Sequence, residues 1–137
     1  MIYLDSSAFL NAFLDTGKKG TAAKTLLDKV QRGEPAATSA LTYDEVFWAV
    51  KKHRRFEDAL HASRALLEMP NLSIIAVDAG VLWLANSLSE KYKIGPRDAI
   101  HASCAITNGI RTMVSDDRDF DAVKEIERRG LPSRTPP

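Results

Sequence analysis

Short apolar runs alternate along the chain with longer stretches in which apolar residues recur every three or four positions. Residues 2–4, 36–39, 72–77 and 112–115 are brief, apolar and closed by polar or turn residues, which predicts buried strands. Residues 7–14, 21–31, 42–53, 56–67, 80–91, 97–108 and 122–129 carry the spacing that gives a helix one apolar stripe. Strands separated by helices, with no hairpin pair such as Asn-Gly between adjacent apolar runs, predict an α/β domain with a mainly parallel sheet.

The punctuation agrees with that division. Gly33-Glu34-Pro35 stops one helix, and Gly95-Pro96 starts another with proline in its favoured first turn. Pro132, Pro136 and Pro137 keep residues 132–137 from continuing a helix, so a loosely held tail is expected after a single domain over 1–131. At 137 residues and 45% hydrophobic content, the chain suffices for one packed core and not for two ordinary domains.

Composition narrows the function classes. The formal net charge is +1, so nucleic-acid binding, if present, must come from a local patch rather than a global excess of cations. A lone cysteine, Cys104, excludes an internal disulfide framework and a cysteine-rich zinc site. Met1 to Asp5 lacks a basic leader with an apolar core, and no run approaches the roughly 20 apolar residues of a membrane span. A cytoplasmic protein with no membrane partner is expected.

The chemistry lies in where a few carboxylates fall. Asp5 directly follows the first predicted strand, Glu45 sits in the first turn of the helix after the second, and Asp116 and Asp117 directly follow the last. Asp98 opens its own helix. Ligands of an open parallel sheet bind beyond the carboxyl ends of its strands, so at least three of these groups are expected in one crevice. Each has a plainer reading. Asp5 suits a helix N-cap, Thr42-Tyr43-Asp44-Glu45 matches a capping box, and Asp98 would answer a helix dipole. As a group they point elsewhere, because Asp98 heads a stripe with Ala102, Ala105 and Ile106, and Glu45 shares a face with Trp48 and Ala49. Those carboxylates are expected to face inward.

Two carboxylates about 5 Å apart repel by roughly 3 kcal/mol at an effective dielectric of about 20. Several cannot share a pocket while ionised and unpaired. Protonation, Arg or Lys partners, or a divalent cation would relieve them, and an all-oxygen set suits Mg2+ or Mn2+. Zinc is disfavoured, since neither a His-x-x-x-His pair nor a cysteine cluster exists.

Four segments together resemble the PIN domains, and within them the VapC toxins of bacterial and archaeal VapBC toxin–antitoxin systems. They are Met1-Ile2-Tyr3-Leu4-Asp5-Ser6-Ser7-Ala8, Ser39-Ala40-Leu41-Thr42-Tyr43-Asp44-Glu45-Val46, Pro96-Arg97-Asp98-Ala99-Ile100-His101-Ala102 and Met113-Val114-Ser115-Asp116-Asp117-Arg118-Asp119-Phe120-Asp121. The resemblance spans nearly the whole chain and rests on their order and separations. It implies a three-layer α/β/α PIN-like domain with a mainly parallel central sheet. It also implies that Asp5, Glu45, Asp98 and Asp117 form an acidic quartet, with Asp119 as an outer metal ligand and Ser6 orienting the first carboxylate. Ser115 stands where Thr is usual and keeps the hydroxyl. Adjacent Asp116 leaves the register of the fourth ligand open.

By the same resemblance the activity is a Mg2+- or Mn2+-dependent endoribonuclease that leaves 5′-phosphate and 3′-hydroxyl ends. Asp5 and Asp98 would ligate metal directly, while Glu45 and Asp117 would hold a second ion or orient the attacking water. A small antitoxin protein lying in the active groove and a homodimer are the partners it implies. An RNA-processing nuclease outside a toxin pair, or a non-catalytic PIN-like binding module, are the alternatives, although no acidic position is lost. The Asp after the first strand also opens haloacid-dehalogenase-like phosphatases, but Ser7 stands where a second Asp is needed. No Gly-x-x-x-x-Gly-Lys loop is present for a nucleotide hydrolase.

Candidate substrate contacts are Ser6, Arg97, Ser115 and Arg118 beside the acidic positions, with Lys51 and Lys52 in the cationic run Lys51-Lys52-His53-Arg54-Arg55. That run also suits a helix C-terminus whose cations answer the dipole. His101 reads as a packed or hydrogen-bonding side chain, and His53 and His61 as surface residues. Phe47, Trp48 and Trp83 are expected in the core or at a subunit interface, with base stacking as the alternative.

Overall fold

The structure is a computed structural model and describes residues 1–131; the expected tail over 132–137 lies outside the described residues. Along the chain run β1 (Ile2–Leu4), α1 (Ser6–Leu14), α2 (Lys18–Gln31), β2 (Ala36–Ser39), α3 (Ala40–His53), α4 (Phe56–Glu68), β3 (Leu72–Ile75), α5 (Ala79–Tyr92), α6 (Pro96–Thr107), β4 (Thr112–Val114), a 3-10 turn (Arg118–Ala122) and β5 (Glu127–Arg129). The strands pair in the order β3-β2-β1-β4-β5, and each pairing is parallel.

Alternation along the strands sorts their side chains into two apolar layers. Leu4, Ala36 and Val114 pack under α1 to α4, while Tyr3, Ala37 and Met113 pack on the opposite face with α5, α6 and the 3-10 turn. The result is the three-layer α/β/α arrangement that the sequence implied. Close approach of α1 and α2 requires Gly20, because a Cβ there would lie 1.8 Å from the Asp15 carbonyl oxygen. No helix among the described residues is long and apolar enough to cross a membrane.

Three local expectations are corrected. The helix expected over 122–129 is replaced by the 3-10 turn and β5, which pairs with β4 from Thr112↔Glu127 to Val114↔Arg129. Val123 and Ile126, three residues apart, mimic a helical stripe; both are buried anchors on either side of an extended crossover. Pairing Glu127–Arg129 with β4 satisfies backbone groups along that strand, which a detached helix would leave open. The helix expected from 42 begins at Ala40, so Glu45 lies in its second turn, and Thr42 is a buried helical residue whose hydroxyl meets Thr38 Oγ1 at 2.6 Å rather than a capping group. Trp48 and Trp83 are 60% and 74% exposed, which removes the core from their expected places and leaves an interface or base stacking.

Candidate functional site

From β1 the sheet grows outward through β2 and β3, and the chain then returns to lay β4 on the other side of β1. At such a switch point the loops after two adjacent strands diverge and leave a crevice at their carboxyl ends. Asp5 follows β1 there, and Asp116 and Asp117 follow β4 by way of Ser115.

Asp5 is 5% exposed and is held from both sides. Its Oδ1 accepts from the Ser7 N–H at 3.0 Å and the Ser7 hydroxyl at 2.5 Å, and its Oδ2 accepts from the Ser115 hydroxyl at 2.6 Å. The N–H bond makes Asp5 the N-cap of α1, so the capping and site readings coincide on one side chain. Burial raises its pKa, against the lowering effect of the hydrogen bonds from Ser115 and Ser7. The brackets extend across the crevice: Asp117 N–H donates to Ser115 Oγ at 3.0 Å, and Asp116 N–H to Ser7 Oγ at 3.2 Å.

Asp98, in the first turn of α6, meets Asp117 and Asp119, with one carboxylate oxygen from each lying within 4.8 Å of the others. Burial first, then the charges of Asp117 and Asp119, push the Asp98 carboxyl up to about 7. The 3-10 turn sets the pair, since Asp117 caps it by accepting the Asp119 N–H at 2.9 Å. Three carboxylate oxygens, none of them in an ion pair among the described residues, form a hard, oxygen-only donor set of the kind that suits Mg2+ or Mn2+. Asp116 is drawn off toward α1 and α2 by Asn11 Nδ2 at 2.9 Å and Lys19 Nζ at 3.5 Å, which leaves Asp117 facing Asp98.

The expected quartet is therefore not one tight cluster. Asp98 and Asp117 form its centre together with Asp119; Asp5 joins through Ser115, and Glu45 stands apart on α3, bonded to His101 Nε2 at 2.6 Å. Glu45, Ser6, Trp48 and Arg97 line a cavity of about 220 Å³, which brings Arg97 and Ser6 beside Glu45. Ser115 is fully buried and braces Asp5 and Asp117 instead of presenting a hydroxyl to substrate. Lys52 Nζ sits 5.0 Å from the Trp48 ring centre, and Lys51 lines the neighbouring hollow. Arg118 is exposed at the start of the 3-10 turn.

Several contributors escaped the sequence reading. Ser7, rather than Ser6, holds Asp5; its position two residues after an N-cap was the available signal. Asn11 follows one turn later and fixes Asp116. Arg128 on β5 donates to the Ser115 carbonyl at 3.0 Å and to Asp121 at 2.8 Å, a role hidden while that segment was read as helix.

The PIN domain family model matches residues 2–126. The chain belongs to the PIN domain family. No curated protein sequence matches this PIN domain significantly. Among solved structures it is similar to VapC20 of Mycobacterium tuberculosis, described as a sarcin-ricin loop cleaving toxin, with a TM-score of 0.78, 17% identity, and coverage of 90% of this chain and 95% of that one. A chain of VapBC2 from Rickettsia felis, solved bound to a promoter DNA fragment, gives 0.76 at 20% identity over 96% of this chain and 100% of that one. PAE2754 from Pyrobaculum aerophilum gives 0.67 at 18% identity over 93% and 87%. Likeness at these identities establishes the fold.

Proposed function

We propose that this PIN domain, a single domain over 1–131, is a Mg2+- or Mn2+-dependent endoribonuclease and the toxin of a VapBC-type pair. The observation that carries the reading is the meeting of Asp98, Asp117 and Asp119 within 4.8 Å, next to Asp5 at the switch point of a parallel sheet. The donor chemistry fits a divalent cation: the oxygens are all carboxylate, and Asp98 is held near pKa 7 by burial and then by the charges of Asp117 and Asp119.

Asp98, Asp117 and Asp119 would hold the ion, with Asp5 beside them. When bound, the cation would make a water more acidic and offset negative charge on the scissile phosphodiester. The protein's own groups do the rest. Ser7 and Ser115 lock the Asp5 carboxylate in place before any ligand arrives. Glu45, at the wall of the cavity, accepts a proton from water or orients it for attack in line with the leaving 3′ oxygen. Arg97 contacts phosphate from the same cavity, and Arg118, Lys51 and Lys52 follow the RNA backbone on either side.

An antitoxin partner is supported by the company this fold keeps, since the Klebsiella pneumoniae and Rickettsia felis neighbours are described as a toxin–antitoxin complex and as VapBC2. A homodimer in the cytoplasm completes the proposal. Purified protein is expected to cleave RNA in Mg2+ or Mn2+, to stop in chelator, and to lose turnover in Asp98→Asn while remaining folded. Cleavage that continues unchanged in EDTA would overturn it.

A further inference from the structure

Glu45 and Asp98 lie on helices from opposite layers, and one side chain joins both helices to β1. His101, one turn after Asp98 on α6, is 2% exposed. Its Nε2 lies 2.6 Å from Glu45 Oε1, and its Nδ1 lies 2.7 Å from the Tyr3 hydroxyl, with the two rings edge to face at 5.7 Å. Both ring nitrogens are thus engaged, and the chemistry of the partners decides which carries hydrogen. An ionised carboxylate only accepts, so Nε2 must donate to Glu45. Tyr3 is fully buried, has one proton to give, and lies with its hydroxyl 2.7 Å from Nδ1, the buried Ser39 hydroxyl being the other polar group beside it. Protonating Nδ1 as well would break the phenol-to-ring bond and turn the phenol hydrogen toward the Ser39 hydroxyl.

We infer that His101, held as its Nε2–H tautomer by Tyr3, is the positioning residue that aims Glu45 into the cavity it shares with Arg97. This rests on the nuclease reading of Glu45. A glutamate on an exposed helix face would sample several rotamers; one fixed oxygen leaves the other for the cavity and removes that freedom before substrate arrives. Tyr3 on β1, Glu45 on α3 and His101 on α6 belong to three elements that also carry or adjoin Asp5 and Asp98, so the same chain of bonds registers the acidic residues against each other.

The test combines imidazole 1H–15N spectra of the wild-type protein with kcat and KM for RNA cleavage in Mg2+ by wild type, His101→Gln, His101→Leu and Tyr3→Phe, each checked for folding by thermal melting. The spectrum is expected to show the neutral Nε2–H form. His101→Leu should lose roughly 10–100-fold in kcat at unchanged KM. The Gln amide can donate from nearly the same place as Nε2, so His101→Gln should recover most of the loss, whereas core filling alone would favour Leu over Gln. Tyr3→Phe should give mixed tautomers and an intermediate kcat. An imidazolium or Nδ1–H form in the wild type overturns the inference, as does a folded His101→Gln no better than His101→Leu. A wild type that cuts no RNA removes the nuclease reading and this role with it, whereas an active wild type equalled by His101→Leu removes the inference alone.

Discussion

Replacing Asp98 by asparagine is expected to stabilise the metal-free protein. At 4.8 Å, the limit of the separations among Asp98, Asp117 and Asp119, two ionised carboxylates repel by roughly 3.5 kcal/mol at an effective dielectric of about 20. The Asp98 carboxyl is pushed from 3.8 to about 7 by burial first and by this repulsion second. Unscreened, that difference amounts to about 4 kcal/mol; partial exposure lets solvent reduce it to roughly 1–2 kcal/mol. Between those two pH values the folded chain holds a proton that the unfolded chain has lost, so stability is full below about pH 4 and falls as pH rises through 7. Asparagine titrates nowhere in this range and escapes the loss, at the expense of the Asp98 interaction with the α6 dipole, worth about 0.3–1 kcal/mol. Thermal melting of wild type and Asp98→Asn in chelator at pH 8 should show a gain of about 1 kcal/mol, or roughly 3–6 °C for a domain of this size, vanishing near pH 4. Added Mg2+ should reverse the order by raising the wild-type Tm alone. An Asp98→Asn variant less stable than wild type at pH 8 in chelator would show that this carboxylate serves the helix end, not a crowded acidic site.

Ser115→Ala should cost about 2–3 kcal/mol at pH 8, because buried Asp5 loses a charge-assisted acceptor bond and the Asp117 N–H loses its partner; chemical denaturation should find a smaller cost near pH 4, where Asp5 is protonated, and near-complete retention in Ser115→Thr. Gly20→Ala should destabilise by at least about 2–3 kcal/mol, since its methyl group would meet the Asp15 backbone at 1.8 Å; an unchanged denaturation midpoint would mean that α1 and α2 separate freely. Arg97→Ala should raise KM for RNA, leave kcat nearly unchanged and lower the dependence of log binding constant on log salt by about one; salt titration of binding to a labelled RNA strand in Ca2+ reads it directly.

Periodicity made most of the fold legible, because two-residue and three-to-four-residue repeats report which side chains face a core. Val123 and Ile126 show its limit: three-residue spacing over so short a stretch fits a helical turn and an extended crossover equally, and only the vacant flank of β4 decides between them. The acidic site was legible for a different reason. Strand ends of a parallel sheet converge, so Asp5 and Asp117 are placed by topology, and Asp98 by the α6 stripe. What supports them was not legible. Tyr3 and His101 are 98 positions apart, Ser115 and Asp5 110, and no local pattern announces a hydrogen bond over such a distance. Asp119 entered the centre through a 3-10 turn that sequence periodicity does not resolve.

The pairing of β1 with β4, Ile2 against Thr112, has a consequence for a chain made from its N-terminus onward. Until synthesis has passed Asp119, the nascent polypeptide has Asp5 and Glu45 but lacks the segment that completes the acidic centre. Closing so long a loop is also a slow step in folding, taken after the local helices have formed. The acidic centre is therefore missing from every nascent chain that stops short of Asp119, and it assembles only once β4 and the turn after it have emerged and docked beside β1.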